Sequence, residues 1–208
     1  IVPNQFILLI IDDGSNDSTP EILSRLSGEL DNLVLHRKAN SGHGESCLIG
    51  YRRALQQNAE WILQIDSDYQ CNPIYFKKFW NSIGTSKVIM GKRVKRLDGD
   101  YRWVLTKIIS LWLFFATGKF CPDPNVPYRL IHADFLSLVL AKTPSISLAN
   151  SFLSYKMMEV ESIHWIDIHF RKRLFGVSFH KLLPSLRAIL ELTKALVANK
   201  SPKDKSTL

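Results

Sequence analysis

Continuous apolar runs alternate with polar, helix-forming stretches over the first ninety residues. The run Phe6–Ile11 is apolar and rich in β-branched residues. Similar short runs follow at 33–35, 61–65 and 87–91. Runs that are apolar on both faces are typical of strands buried inside a parallel sheet. Helices are predicted to begin near Pro20, Cys47 and Pro73. This alternation predicts an α/β fold with a mostly parallel sheet flanked by helices.

The pattern changes after residue 102. Trp103–Ala116 is nearly all apolar and predicts a helix, but it is shorter than the ~20 residues needed to span a bilayer. Such a helix either packs into the core or lies in a membrane interface, where Trp103 and Trp112 would suit the lipid boundary. A strand is predicted within 161–170, and a final helix carries one apolar face through Val197.

No linker or internal repeat divides the chain. A length of 208 residues with 46% hydrophobic residues is enough for one domain with its own core. We therefore expect a single domain over residues 1–198. The polar segment 199–208 is expected to be a disordered tail.

Charge and cysteine content narrow the class of partner. The net charge of +8 favours anionic partners such as phosphorylated molecules or an acidic membrane surface. The chain has no basic-aromatic motif that would indicate nucleic-acid binding. The three cysteines are far apart, which argues against a disulfide framework or a zinc site and favours a reducing compartment. With no signal peptide visible at Ile1, we expect a cytoplasmic location.

Two acidic clusters follow predicted strands. Asp12 and Asp13 come directly after the first run, and Asp66 and Asp68 come after the third. Because ligands of parallel α/β sheets sit beyond the carboxyl ends of the strands, these clusters are candidates for one binding site. Hard carboxylate ligands suit Mg²⁺ or Mn²⁺, which would stabilise a diphosphate leaving group, and Gln70 could reach the same ion. The alternatives are solvated acids in a turn and a helix N-cap.

Three segments together resemble family 2 glycosyltransferases. Residues 11–19 (IDDGSNDST) are similar to that family's DDGSxDxT segment. Residues 40–44 (NSGHG), followed by Gly50 and Ala54, resemble its N-x-G-x-G…G…A segment. Residues 66–73 (DSDYQCNP) resemble its DxDxQxxP segment. Each match is modest alone, and the order and spacing make the combination specific over roughly residues 5 to 180.

The resemblance implies a GT-A fold, a nucleotide-diphosphate sugar donor and a divalent metal, Mg²⁺ or Mn²⁺. Carried over residue by residue, Asp13 or Asp12 would contact the nucleoside together with Arg37. Asp66 would lie near the ribose and the metal. Asp68 would ligate the metal, with Gln70 as a further candidate ligand.

Three later segments are also informative: Arg93-x-x-Arg96 followed by Arg102, Asp123 followed by Tyr128-Arg129-Leu130, and Arg173-x-x-Gly176-x-Ser178. They resemble the polyprenyl-phosphate branch of that family, which includes dolichol-phosphate and undecaprenyl-phosphate sugar transferases. A phosphate acceptor is already anionic, so it needs cations that hold two phosphates together rather than a base. Asp123 would orient an arginine, or act as the base if the acceptor is a hydroxyl. Pro127 stands where many members have glycine. The candidate substrate-binding residues of these motifs are Arg93, Arg96, Arg102, Arg129, Arg173 and Ser178.

The expected activity is inverting transfer of a sugar to a polyprenyl phosphate, by a protein held peripherally at the cytoplasmic face of a membrane. An oligomer is possible. The alternatives are a related transferase acting on a saccharide hydroxyl and a non-catalytic remnant. Processive synthases usually carry Q-x-x-R-W, and residues 99–103 (GDYRW) have no glutamine in place, so a single transfer is favoured.

The chain also departs from the family pattern. Family members open with a strand before the DDGS strand, whereas this sequence begins only a few residues ahead of Phe6. The resemblance therefore implies an N-terminally incomplete GT-A domain. Strands next to a missing strand are expected to present unpaired edges.

Overall fold

The computed structural model describes residues 6–95, 100–171 and 182–199. Strands and helices alternate along the chain through these ranges. The strands are β1 (Leu8–Asp12), β2 (Leu33–Arg37), β3 (Trp61–Gln64), β4 (Val88–Lys95), β5 (Arg129–His132) and β6 (His164–His169). The helices are α1 (Thr19–Glu29), α2 (His43–Gln56), α3 (Phe76–Asn81), α4 (Asp100–Thr117), α5 (Ala133–Leu140), α6 (Ala149–Val160) and α7 (Leu182–Ala198), with a 3₁₀ turn at Pro73–Tyr75.

The strands form two sheets. β1 and β2 pair in parallel, with Leu8 opposite Leu33. The other sheet has the order β3-β5-β4-β6, in which β5 runs antiparallel to both of its neighbours and β6 runs parallel to β4. The α/β class is confirmed, but the expectation of a mostly parallel sheet needs correction because β5 makes the larger sheet mixed. β5 has only two apolar residues, Leu130 and Ile131, between Arg129 and His132, so no apolar run marked it in the sequence.

Helix α2 packs on both sheets. The Tyr51 phenol donates a hydrogen bond to Gln64 of β3. On the same helix, Gly50 lies against Ile11 of β1, close enough that an added Cβ would meet its side chain at 3.4 Å. The helix therefore fixes the carboxyl ends of β1 and β3 relative to each other.

Within the described residues, β1 pairs only with β2, and β3 pairs only with β5. Phe6 and Ile7, just ahead of β1, are 50% and 46% exposed, and Leu8 at the start of the strand is 42% exposed. Natural proteins usually avoid apolar side chains beside an unpaired strand edge.

Two apolar clusters hold the helices to the larger sheet. The main core lies between the sheet and helices α2, α3, α5 and α6, and it contains Phe79, Leu48 and Ile131 with no exposed surface. Burial of side chains of this size stabilises a fold by about 1.5–3 kcal/mol each. A second cluster joins α4, α6 and α7 through Leu113, Phe152 and other side chains.

Helix α6 was not predicted because it has no polar face. Residues 149–157 are all buried, including Asn150, Ser151 and Lys156. A helix buried on every side lacks the amphipathic period that sequence analysis detects. No helix within the described ranges is both long and apolar enough to cross a bilayer.

Candidate active site

The loop after β1 packs closely against the loop after β2. Gly14 has a φ of +75°, and a Cβ at this position would lie 2.9 Å from the backbone nitrogen of Asn40. Only glycine combines this backbone conformation with so close an approach. Arg37 adds a second contact, because its guanidinium donates to the Ser15 carbonyl oxygen at 3.2 Å. The glycine of the DDGS segment therefore brings the two loops together.

Asp13 holds the second of these loops. Its carboxylate accepts hydrogen bonds from the backbone N–H groups of Ser41 at 2.8 Å and Gly42 at 3.0 Å. Lys38 forms an ion pair with the same carboxylate. Burial raises the pKa of Asp13, but the hydrogen bonds from Lys38 and Ser41 outweigh burial and hold that pKa below its usual value. Asp13 therefore fixes the 41–42 backbone, a contact that the sequence did not predict.

Asp12 is 4% exposed and lies between two partners. One oxygen accepts a hydrogen bond from the Ser15 N–H at 3.0 Å, and the other lies 3.3 Å from the Arg37 guanidinium. The hydrogen bonds with Ser15 are the main reason that the pKa of Asp12 is lowered. The predicted nucleoside-contacting residues Asp12 and Arg37 are thus paired with each other, with the Arg37 side chain 55% exposed toward solvent.

The loop after β3 is constrained at Tyr69. This residue has a φ of +66°, in the left-handed region that non-glycine residues seldom adopt. The Asp68 carboxylate accepts a hydrogen bond from the Gln70 N–H at 3.1 Å, which closes the turn. Arg171 lies over the Tyr69 ring at 4.8 Å and donates to Asn72 at 2.8 Å. Strained backbone of this kind concentrates at ligand sites.

The Gln70 side chain is buried and contacts the segment after β6. The residue is 3% exposed, and its side-chain amide donates to the Arg171 carbonyl oxygen at 3.4 Å. The Arg171 N–H in turn donates to the Gln70 carbonyl oxygen at 3.0 Å. The amide nitrogen of Gln70 therefore fastens the segment after β6. A metal would be ligated by the amide oxygen, so the role of Gln70 as a metal ligand stays a prediction.

Asp66 and Asp68 form a pair whose charges repel. Burial raises the pKa of Asp66, and the neighbouring Asp68 carboxylate raises it further. In the described parts of the chain, no group of three or more His, Cys, Asp or Glu side chains gathers to hold a metal. The two carboxylates nevertheless fit a divalent ion that takes its other ligands from phosphate oxygens and water, as Mg²⁺ sites commonly do.

His43 connects the two acidic loops. Asp13 binds the N–H groups of residues 41 and 42, and the next residue, His43, begins helix α2 with its Nε2 4.0 Å from the Asp66 carboxylate. The residues after β1 and β3 therefore meet at one rim, as the sequence predicted. The amino end of a helix attracts anions, so a diphosphate at this rim would also face the positive end of α2.

The sequence analysis did not assign a role to His43. Its Nε2 lies 3.5 Å from the Cys47 sulfur, one helical turn further on. This hydrogen bond and the negative charge of Asp66 raise the pKa of His43 to about 9, although burial opposes the shift. The available signal was the place of His43 at the second variable position of the N-x-G-x-G segment, between Gly42 and Gly44.

Asp123 and Arg93 form a buried, two-pronged ion pair. The Arg93 guanidinium donates to the two carboxylate oxygens at 2.6 and 2.7 Å, and the Arg93 N–H donates at 3.1 Å. The Arg93 side chain is 8% exposed, and the Asp123 side chain is 4% exposed. The Arg93 guanidinium also lies 5.2 Å from the centre of the Phe170 ring. Of the two roles considered for Asp123, this geometry favours the orientation of an arginine.

Arg129 is placed differently from the sequence expectation. It is fully buried, and its guanidinium donates to three backbone carbonyl oxygens, those of Val126 at 2.6 Å, Pro124 at 2.8 Å and Asn150 at 3.0 Å. These bonds use the donors that a phosphate would need. Arg129 therefore fastens the 123–126 loop to α6 and holds Asp123 in position.

Other predicted residues cannot be placed. Arg96, Arg173 and Ser178 lie outside the described residues, as does the side chain of Arg102. Two cations that the sequence analysis passed over lie at the rim instead. Lys38 is bound to Asp13, and Arg171 lies against the Tyr69 loop. Both are close in sequence to arginines that were predicted, Arg37 and Arg173.

Comparison with protein families and known proteins points to one family. Residues 3–137 match the family model described as glycosyl transferase family 2. The chain is 25% identical over 199 residues to undecaprenyl-phosphate 4-deoxy-4-formamido-L-arabinose transferase of Photorhabdus laumondii, covering 92% of this chain and 58% of the relative. The Pectobacterium atrosepticum enzyme of the same name is 24% identical over 196 residues, with 91% and 57% covered. The chain thus spans less than two thirds of the length of either relative.

Solved structures show the same fold. Glucosyl-3-phosphoglycerate synthase from Mycobacterium tuberculosis, in complex with Mn²⁺, uridine diphosphate and glucosyl-3-phosphoglycerate, aligns with a TM-score of 0.67 at 14% identity. The alignment covers 94% of this chain and 70% of that chain. The same enzyme with Mn²⁺, uridine diphosphate and phosphoglyceric acid gives a TM-score of 0.64 at 16% identity, covering 91% and 67%. The predicted GT-A fold is confirmed by this likeness.

Proposed function

Because the chain belongs to glycosyl transferase family 2, we propose that it transfers a sugar from a nucleotide-diphosphate sugar to a polyprenyl phosphate with inversion at the anomeric carbon. The observation that supports this most is the meeting of the two acidic loops through residues 41–43. Asp13 holds the amino end of α2, and the first residue of that helix lies 4.0 Å from Asp66. A nucleoside diphosphate bound there would have carboxylates for its metal and helix N–H groups for its phosphates.

The proposal includes a divalent ion held by Asp66 and Asp68. When bound, Mg²⁺ or Mn²⁺ neutralises charge that builds on a departing diphosphate. Burial raises the pKa of Asp66, so a positive charge beside it would favour the ionised carboxylate. Support also comes from solved structures of the fold, since the M. tuberculosis synthase is described in complex with Mn²⁺ and uridine diphosphate.

The acceptor follows from the side chains around Asp123. A hydroxyl acceptor needs a base, but both oxygens of Asp123 are occupied by Arg93 in a buried pair. A phosphate monoester is already ionised, so one of its oxygens can attack the anomeric carbon directly while the nucleoside diphosphate leaves from the opposite face. The relatives named above act on undecaprenyl phosphate by their printed names, which favours a lipid phosphate over a saccharide hydroxyl.

A lipid acceptor places the protein at a membrane. We propose that the chain works peripherally at the cytoplasmic face, with its net charge of +8 attracted to anionic lipid. Arg96, Arg102, Arg173 and Ser178 remain candidates for contacts with the donor or acceptor phosphates, whereas the Arg93 guanidinium is engaged by Asp123.

A direct assay tests the activity. The purified chain is incubated with radiolabelled UDP- and GDP-sugars, undecaprenyl phosphate in detergent, and Mn²⁺. We expect a lipid-extractable labelled product that disappears in EDTA and is reduced at least about a hundredfold by Asp68→Asn. The matched control is Asp167→Asn, which removes an exposed carboxylate on β6 paired with Lys92 and should leave the rate unchanged. Equal product formation in EDTA would contradict the metal-dependent mechanism.

A further inference from the structure

Helix α4 exposes an apolar stripe on the side opposite its buried face. The stripe consists of Val104, Ile108, Leu111, Trp112 and Phe115, spaced at three and four residues so that they share one face. The exposed fractions are 44%, 50%, 54%, 38% and 73% in that order. A solvent-facing helix surface normally carries polar residues, so this arrangement is the reverse of ordinary amphipathicity.

The buried face of α4 already packs against other helices of the protein. Ile109 and Leu113 are 4% and 0% exposed, and they belong to the cluster shared with α6 and α7. The stripe lies about half a turn away from these two positions, so it takes no part in that core. Its apolar side chains are therefore available to a partner, and contiguous apolar surface of this kind marks interaction sites.

The apolar surface continues past the end of the helix. Phe114 packs edge-on against Phe115 with ring centres 5.8 Å apart. Phe120, in the following loop, is 59% exposed. The Lys119 ammonium donates to the Met158 carbonyl oxygen, which places this loop beside the end of α6, where Val160 is 65% exposed. The surface is rich in aromatic side chains, which are favoured at the boundary between lipid tails and headgroups.

The charges around the stripe select the partner. Residues 104–122 contain no Asp or Glu, and Lys107 and Lys119 are exposed at its flank and its end. Cations beside an apolar helix face favour the surface of an anionic bilayer, because phosphate headgroups meet the lysines while the apolar side chains enter the acyl boundary. Two copies of this face packed together would instead bring lysines of like charge close to each other.

The stripe is also connected to the candidate active site. Helix α4 follows β4, which carries Arg93, and the loop after α4 returns to Asp123. The Arg93–Asp123 pair thus joins the two ends of the segment that contains α4. A bilayer on the stripe would therefore contact the helix that follows β4 in the chain.

From these observations we infer that the exposed face of α4 docks the protein onto an anionic phospholipid bilayer, lying in the interface rather than crossing it. The inference extends the proposed function, which requires a lipid-linked acceptor, but it does not depend on catalysis. Binding to vesicles that contain neither donor nor acceptor is therefore sufficient to test it.

Vesicle flotation separates the possible outcomes. The chain is mixed with vesicles of phosphatidylcholine alone or of phosphatidylcholine with phosphatidylglycerol. We expect binding to the anionic vesicles, weakened at least about tenfold by Phe115→Ser and further by Ile108→Ser with Phe115→Ser. Leu138→Ser is the matched control, since Leu138 on α5 is 65% exposed and lies outside the stripe; it should bind as the unmodified chain does.

Two further measurements keep the test independent of folding and of activity. Thermal unfolding should be the same for all variants, because the substituted side chains are exposed. Sedimentation without lipid should show the same mass for the unmodified chain and Phe115→Ser. The inference is overturned if the chain ignores anionic vesicles, if the stripe variants bind them equally well, or if Phe115→Ser dissociates an oligomer. Loss of sugar transfer with vesicle binding intact would instead count against the proposed activity alone.

Discussion

The His43 imidazole lies 4.0 Å from the Asp66 carboxylate, and this contact joins the segment held by Asp13 to the loop after β3. Two acidic clusters that are more than fifty residues apart in sequence are thereby tied to one rim. The imidazole also contacts Cys47, and together these neighbours raise the pKa of His43 to about 9. The pKa of His43 is therefore a sensitive measure of the geometry of the site.

The stability of the protein should depend on pH through His43. Its pKa is raised from 6.5 to about 9 in the folded chain, so the folded state binds this proton more tightly than the unfolded state. The resulting stabilisation is complete below about pH 6.5 and is lost as the pH rises through about 9. Urea unfolding at pH 6.5 and 9 should show a smaller loss of stability for His43→Gln than for the unmodified chain. An NMR titration that gave His43 an ordinary pKa near 6.5 would contradict the contact.

The Arg93–Asp123 pair should be structural. Asp123→Asn leaves a buried guanidinium without its counter-charge, which typically costs about 3–5 kcal/mol of unfolding free energy. Glu29→Gln is the control, because the Arg25–Glu29 pair is exposed at 3.8 Å and such pairs contribute about 1 kcal/mol or less. If Asp123 is instead a catalytic base, Asp123→Asn will unfold at the same urea concentration as the unmodified chain and show only a slower reaction.

Arg129 should stabilise the fold rather than bind phosphate. Arg129→Met leaves the Val126 carbonyl oxygen without its donor in the interior, whereas those of Pro124 and Asn150 keep the hydrogen bonds from the Ser154 hydroxyl. Because an unpaired buried group costs about 1–3 kcal/mol, we expect a loss of that size in urea unfolding, against almost none for the exposed Arg25→Met. Arg129→Lys keeps the charge but not the three-way geometry, so it should also be destabilising. Normal stability of the Arg129 variants, together with weaker acceptor binding, would instead support a phosphate-binding role for Arg129.

The start of α2 should tolerate no side chain at Gly44. A Cβ there would lie 2.3 Å from the Ile146 carbonyl oxygen and 2.9 Å from that of Ser147. Because backbone must move to accommodate it, Gly44→Ala is expected to lower the unfolding free energy by about 1–3 kcal/mol and to weaken donor binding through displaced His43. Gly28→Ala is the matched control: Gly28 is also helical but has nothing within 4 Å. It should gain about 0.5–1 kcal/mol, and a similar gain at Gly44 would refute the close approach.

The parts of the fold predicted from sequence are those with strong local signals. The runs that became β1 and β3 could be predicted because each is a continuous apolar stretch that ends at acidic residues. β5 and α6 were missed for different reasons: β5 has only two apolar residues between Arg129 and His132, and α6 is buried on every side. Neither carries a period that could reveal it.

Residue roles at the site depended on long-range contacts that motifs do not contain. The sequence indicated Arg129 and Asp123 as candidate site residues. It did not indicate that Arg129 donates to three backbone carbonyl oxygens or that Arg93 forms an ion pair with Asp123. Gln70 similarly faces Arg171, a partner 101 residues away. Which polar groups a buried side chain satisfies is decided by tertiary packing, so a motif predicts its position better than its partner.

The most direct test of the account is the binding of a nucleoside diphosphate measured by isothermal titration calorimetry, with UDP and GDP as probes. We predict that at least one of them binds the chain in the presence of Mn²⁺, that EDTA removes the binding, and that Asp66→Asn and Asp68→Asn each weaken it at least about tenfold while Asp167→Asn does not. Binding that persists unchanged in EDTA, or in both site variants, would contradict the assignment of these two carboxylates to a metal-dependent nucleotide site.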